Sequence, residues 1–451
     1  MPTVLTSEST REIVAHLNEA NRHFAVAYPG DSAERQPVHT VYGGAHLFKA
    51  DIAQKLGAAG LRSLEEYAPA PDTFANAIRL PDGLADAVYR RVVEKLKREP
   101  VEDFRIDFED GYGNRPDAEE DGHTEAAALE MAKGIVDHTL PPFIGIRTKP
   151  LSQELHRRSV RTLDLFITTL VRKSGGVLPP HFVVTLPKVV APEQVTALVD
   201  VFELIEKANG LFPRSLRLEL MIETPQSILG ARGEVVVPHL VAAARGRCRG
   251  AHFGTYDYTA GCNITAIHQV PSHPACDFAR HVLQVSLAGT GVTISDGATT
   301  VMPVGPHRAD PGGPPLSPAQ REENVRAVHR AWKIHYDDVR MSLRNAYYQG
   351  WDLNPAQLPT RYAAVFAFFL ESREEAATRL KTFVEKAAQA TLLGNVFDDA
   401  ATGQGLLNFF LRGINCGALT EEEALATGLT LEELRGRSFV KILNARRGLG
   451  V

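Results

Sequence analysis

Phe182-Val183-Val184-Thr185-Leu186-Pro187-Lys188 is the stretch whose reading settles the fold. A short apolar, β-branched run ends abruptly in a proline and a charge. Residues 192–208 follow, with Val195, Leu198, Val199, Phe202 and Ile205 at helical spacing. Pro192 falls early in that helix, where its missing N–H costs least. A second apolar run, 216–222, comes next. Apolar run, amphipathic stretch, apolar run is the pattern of a parallel βα unit.

The same kind of run appears at 39–44, 104–108, 143–147, 250–254, 291–295 and, more weakly, 350–353. Helical stretches at 119–136 and 317–339 lie between them; the second opens Ser317-Pro318-Ala319-Gln320, a cap with proline in the first turn. Eight strand–helix alternations predict an α/β fold, a closed (β/α)8 TIM barrel. The stretch 303–318, rich in Pro and Gly, reads as a long loop after the seventh strand. Beyond Pro359 the pattern is helical only, over 362–370, 373–393, 406–411 and 420–443. The expected organisation is a catalytic barrel domain over 1–358 and a C-terminal helical domain over 359–451, with the boundary near 355–359.

The bulk composition agrees with such a protein. The chain has 451 residues, 44% hydrophobic and 23% charged, within the ordinary globular range. Its net charge of -5 and lack of a basic stripe argue against nucleic acid as a partner. The short basic clusters Arg157-Arg158 and Arg245, Arg247, Arg249 read as solvated helix or turn positions. Four cysteines (Cys248, Cys262, Cys276, Cys416) without a CxxC pair predict a reducing, cytoplasmic setting rather than a disulfide framework. The N-terminus lacks an apolar signal core, and no run is long enough to span a bilayer, so a soluble protein without a membrane partner is expected.

The chemistry is read from position. In this kind of barrel, catalytic groups project from the carboxyl ends of the strands. Here those ends carry Asp107-Phe108-Glu109-Asp110-Gly111, Arg147-Thr148-Lys149, Pro187-Lys188, Glu223-Thr224-Pro225 and Tyr256-Asp257-Tyr258. Glu223 and Asp257 would converge, and two buried carboxylates repel unless a cation or proton separates them. Mg2+ suits them, because it takes oxygen ligands and uses one or two carboxylates plus substrate; ion pairs with nearby lysine or arginine are the plainer alternative. Arg147 offers a planar fork for a substrate carboxylate, or equally a salt bridge to the acids at 107–110. Lys149 and Lys188 are conceivable Schiff-base lysines. The histidines show no HExxH or HxH spacing, and no Gly-x-Ser-x-Gly elbow or complete phosphate loop occurs.

In order along the chain, Asp107-Phe108-Glu109-Asp110, Ile146-Arg147, Leu186-Pro187-Lys188, Ile222-Glu223-Thr224 and Phe253-Gly254-Thr255-Tyr256-Asp257 resemble the malate synthase and citrate lyase β-subunit superfamily, which also holds the pyruvate-dependent class II aldolases. The last strand is similar to the closing Gly-…-His-Pro-x-Gln stretch of that superfamily, with Asn354 where it has histidine. Asn395-Val396-Phe397-Asp398-Asp399-Ala400-Ala401-Thr402 resembles the malate synthase segment bearing the general base. The resemblance implies Glu223 and Asp257 as ligands of Mg2+, or Mn2+ in its place. It implies Arg147 on the 2-oxo-acid carboxylate and the developing negative charge, Asp107 and Glu109 ordering metal-bound waters, and Asp399 as the base. Asp398 and Asp399 read equally as a helix N-cap pair. The expected activity is carbon–carbon bond formation or cleavage on a small 2-oxo acid, with an acyl-CoA as the second substrate. The competing expectations are a metal-dependent aldolase without CoA and a catalytically silent binding or regulatory barrel. A homo-oligomer is expected.

Overall fold

The computed structural model describes residues 4–30, 34–309, 312–385, 391–393, 396–398, 400–436 and 438–446. Eight parallel strands close into a barrel in sequence order: β1 (His39–Gly44), β2 (Asp103–Asp107), β3 (Phe143–Arg147), β4 (Val183–Leu186), β5 (Leu218–Ile222), β6 (Cys248–Phe253), β7 (Thr293–Ala298) and β8 (Gln349–Asp352). Closure is between β1 and β8, where Val41 pairs with Asp352; on its other side Val41 pairs with Phe104. The architecture is the TIM barrel expected, each strand displaced by at most a few residues.

Alternation along each strand sorts the side chains into two environments. Outward-facing Ile106, Ile144, Ile146, Val184, Leu220, Ile222, Ala251 and Phe253 are fully buried beneath the surrounding helices. Many of the inward positions are polar. Arg105 donates from Nε to Thr185 Oγ1 (3.0 Å) and from Nη2 to Glu219 Oε2 (2.6 Å), and it pairs with Asp103. His252 Nε2 lies 2.9 Å from Glu219, and Thr40 donates to Asp103 at 2.8 Å. The axis therefore holds a satisfied hydrogen-bond network where apolar layers usually sit.

The closing seam carries a second buried network. Asp352 accepts from His39 Nδ1 (2.8 Å), His335 Nε2 (3.0 Å) and Arg361 Nη2 (2.8 Å). His335 comes from the helix Pro318–Arg344, whose N-terminus has the full Ser317/Gln320 capping box. Arg361 comes from the helix Leu358–Glu385, which packs against Pro318–Arg344 and Ala85–Arg98. Gly350 makes room for this arginine, since a Cβ there would meet Arg361 Nη1 at 2.6 Å.

The C-terminal region departs from the helix-only expectation. Leu358–Glu385 is one helix, with no proline or glycine near residue 371 to interrupt it. The stretch expected to be helical up to 393 instead contains β9 (Thr391–Leu393), antiparallel to β10 (Val396–Asp398). β-Branched and aromatic residues at Thr391, Val396 and Phe397 favour that pairing. The segment read as one helix over 420–443 is three: Glu421–Leu425, Leu431–Arg435 and Phe439–Arg446, the first two opened by their own capping boxes at Thr420 and Thr430. All four cysteines are free, and among the described residues no helix is long and apolar enough to cross a membrane.

Candidate active site at the carboxyl mouth

β2 ends on Asp107, and everything around it is arranged to hold that carboxylate. It accepts the backbone N–H of Glu109 (2.9 Å) and of Gly111 (2.7 Å). A Cβ on Gly111 would stand 2.5 Å from Asp107 Oδ2, so the residue at the turn must be glycine. From the end of β3, Arg147 meets Asp107 with two parallel bonds, Nε to Oδ1 at 2.8 Å and Nη2 to Oδ2 at 2.5 Å. Its remaining nitrogen, Nη1, is 3.1 Å from Glu109 Oε2 and 3.5 Å from Met221 Sδ. Burial opposes the guanidinium charge, but Asp107 and Glu109 hold Arg147 protonated above its ordinary range.

Lys188, just past β4, occupies the centre. Its backbone is left-handed (φ 49°), a conformation non-glycine residues rarely adopt. This turn aims the backbone N–H at Glu223 Oε1 (2.7 Å). The ammonium contacts Glu109, lies 3.1 Å from Asp110 Oδ2 and is 3.5 Å from Asp257 Oδ2. Burial pulls its pKa down, but Glu109 and Glu223 raise it overall, so Lys188 is a stable cation and a poor Schiff-base nucleophile. Lys149 is committed too, to Phe108 O at 2.5 Å and Glu120 at 3.0 Å.

Glu223, at the end of β5, is 2% exposed. Burial pushes its carboxyl up to about 8; Lys188 pulls the other way, and Asp257 adds repulsion. Gly254 leaves the space it fills, because a Cβ there would lie 2.6 Å from Glu223 Oε2. Asp257 sits in the first turn of the helix Thr255–Gly261 with its side chain 45% exposed. Five of the six residues singled out in the sequence, Asp107, Glu109, Arg147, Glu223 and Asp257, thus share one mouth. Asp399 lies outside the described residues. Asn354 caps the short turn Pro355–Gln357, accepting from Ala356 N at 2.9 Å, so the position where the superfamily has histidine does local structural work here.

Two residues not singled out in the sequence wall the site. Tyr42 on β1 and Trp351 on β8 have ring centroids 4.4 Å apart, and the Arg147 guanidinium lies 4.7 Å from the first ring and 5.4 Å from the second. Among the described residues, Tyr42 Oη and Trp351 Nε1 are buried without a hydrogen-bond partner. Inward alternation, two residues past Thr40 and Gln349, is the signal that would have found them.

The donor set fits a hard divalent cation. Among the described residues no three acidic, histidine or cysteine side chains form a ready cage. Mg2+ does not require one, since it typically takes one or two carboxylates and completes its shell with water and substrate. Glu223 is a buried carboxyl short of compensating charge, and Asp257 shares the Lys188 cation with its neighbours.

A citrate lyase from Burkholderia xenovorans LB400 shares the fold at 16% identity and TM-score 0.56, over 88% of this chain and all 100% of its own. Two further structures align at lower scores. One is a malate synthase from Haloferax volcanii in a pyruvate/acetyl-CoA ternary complex, at 14% identity and TM-score 0.44, covering 92% of this chain and 99% of that one. The other is the protein CitE from Mycobacterium tuberculosis with magnesium, acetoacetate and coenzyme A, at 13% identity and TM-score 0.46, covering 86% and 100%. No curated protein sequence matches. A sequence profile described as Domain of unknown function (DUF6986) matches residues 17–442.

Proposed function

The chain belongs to the DUF6986 family, and from that premise and the chemistry of the mouth we propose a Mg2+-dependent lyase or synthase that makes or breaks a carbon–carbon bond on a small 2-oxo acid of the glyoxylate or pyruvate type, with an acyl-CoA as the other substrate. The observation that carries this reading is the convergence of Arg147, Glu223 and Asp257 on one mouth, linked through Glu109 and Lys188. Glu223 and Asp257 would hold the ion, which when bound polarises the oxo group. Asp107 fixes the plane of Arg147 through its paired bonds, so the guanidinium faces developing negative charge without reorganising. Glu109, and Asp107 behind it, would order water at the mouth. Asp399 is proposed as the base that takes a proton from the acyl methyl group, on the strength of its sequence context alone.

Turnover of glyoxylate or pyruvate with acetyl-CoA should vanish in EDTA and return with Mg2+; indifference to chelation removes the metal from the scheme. Asp399→Asn should lower kcat by about 10²–10⁴-fold, the usual contribution of a general base. A negligible effect would favour the aldolase reading without CoA.

The bare donors of Tyr42 and Trp351 fit the same scheme as partners for the substrate carboxylate beside Arg147. Leaving a buried donor unmade costs about 1–3 kcal/mol, so Tyr42→Phe should leave thermal stability unchanged or slightly raised. Calorimetry should then show glyoxylate binding weakened about tenfold, one charged hydrogen bond's worth. A lower Tm with unaltered binding would make the hydroxyl structural.

A further inference from the structure

A second concavity lies at the opposite end of the barrel. It has a volume of about 540 Å3 and is lined by the first residues of five strands: Asp103, Phe143, Val183, Thr293 and Gln349. Its floor is the Arg105–Glu219 layer, which separates it from the carboxyl mouth. Barrel interiors are ordinarily packed solid, and a void of this size is in the range of small-molecule sites.

Two arginines in this well have no side-chain partner among the described residues. Arg217 precedes β5, and Arg249 falls at the register shift where Leu218 pairs with Cys248 but Glu219 with Gly250. Neighbouring arginines are all satisfied: Arg245 by Asp200 (2.8 Å), Arg247 by Glu206 (2.7 Å), Arg214 by the carbonyl of Arg245 (2.5 Å). The acids of the floor are equally committed, Asp103 to Arg105, and Glu219 to Arg105 and His252. Arg217 and Arg249, both half-buried, have no acidic or hydrogen-bonding side-chain partner among the described residues. Arg247 and Arg249, expected to be solvated turn positions, therefore take other places: Arg247 is buried in an ion pair and Arg249 lines a cavity. Beside them the wall is flat and apolar. Phe143 stacks on His181 at 4.6 Å, and Phe212 stands 86% exposed at the rim.

We propose that this amino-terminal well binds an organic anion of mononucleotide size, its phosphate or carboxylate held by Arg217 and Arg249 and its planar part lying against the Phe143 and Phe212 wall. Two arginine side chains lining one open concavity suit a phosphate or carboxylate, which a guanidinium fork meets bidentately. The half-burial that leaves them short of water is compensated when such a group enters.

AMP is a suitable probe, since it joins a planar ring to a dianion, with adenosine as the uncharged control. Calorimetry and thermal shift on the full chain should show AMP binding that stabilises the fold, with adenosine at background. Arg217→Ser and Arg249→Ser should each weaken AMP binding about tenfold or more, and the double variant should abolish it. Glu223→Gln, which alters only the other mouth, should bind AMP normally, so the outcome is independent of the proposed lyase chemistry. Absence of any AMP-dependent shift, wild-type affinity in both arginine variants, or loss of binding in Glu223→Gln overturns the proposal.

Discussion

Glu223→Gln is expected to abolish tight Mg2+ binding while leaving the fold intact. The substitution keeps the shape of the side chain and removes its charge. Losing a residue that merely supports a metal ligand already costs about 10–100-fold in affinity, so loss of a ligand itself should exceed that. Stability should move the other way. The Glu223 carboxyl, pushed up to about 8, is an acid whose folded pKa exceeds its unfolded one. Such a group binds more protons folded than unfolded between roughly pH 4.5 and 8, so the metal-free protein loses stability as pH rises through that window. The glutamine variant lacks this slope and should be the more stable protein near pH 8. Unchanged Mg2+ affinity by calorimetry would remove Glu223 from the metal site, and an unchanged pH slope would show that its burial is relieved by other means.

Asp352→Ala should be the most damaging single change to stability, costing about 3–5 kcal/mol, the loss that follows when one partner of a buried ion pair is removed. Asp352 is fully buried, and it joins the first strand, the last strand and two covering helices through His39, His335 and Arg361. Without it the Arg361 guanidinium is buried with no counter-charge, so chemical denaturation should show a lower midpoint. Burial alone would raise the Asp352 pKa, but Arg361 and the two histidines hold it well below the usual carboxylate range. The sign is the reverse of Glu223: its stabilisation is fully present above about pH 4, near the unfolded value, and is lost as pH falls toward the folded one. The difference between wild type and variant should shrink accordingly in acid. A variant as stable as the wild type would mean the seam is held by packing alone.

What could be read beforehand and what could not follow from the range of each signal. The strands were legible because runs such as 182–186 and 216–222 are short, apolar and β-branched, and because Ser317 and Pro192 mark helix starts locally. The charged strand ends were legible for the same reason, and they gathered Asp107, Glu109, Arg147, Glu223 and Asp257 on one mouth. The interior was not. Arg105, Glu219 and His252 lie on separate strands, and only closure of the barrel makes them one network. Lys188 was visible as a lysine after a strand, but its place among four carboxylates depends on a left-handed backbone that composition does not announce. Tyr42 and Trp351 meet only across the β1–β8 seam, the strand pairing most distant in sequence.

The ammonium of Lys188 has one more implication. Lodged between Glu109, Asp110 and Asp257, it acts as a built-in counter-ion for the mouth. The acidic cluster is thus kept from flying apart during synthesis or prolonged dialysis, whatever ions the surroundings provide. With Glu223 and Asp257 holding the ion as proposed, stripping and reloading should be fully reversible, the Lys188 ammonium giving way to the ion while the carboxylates keep their places.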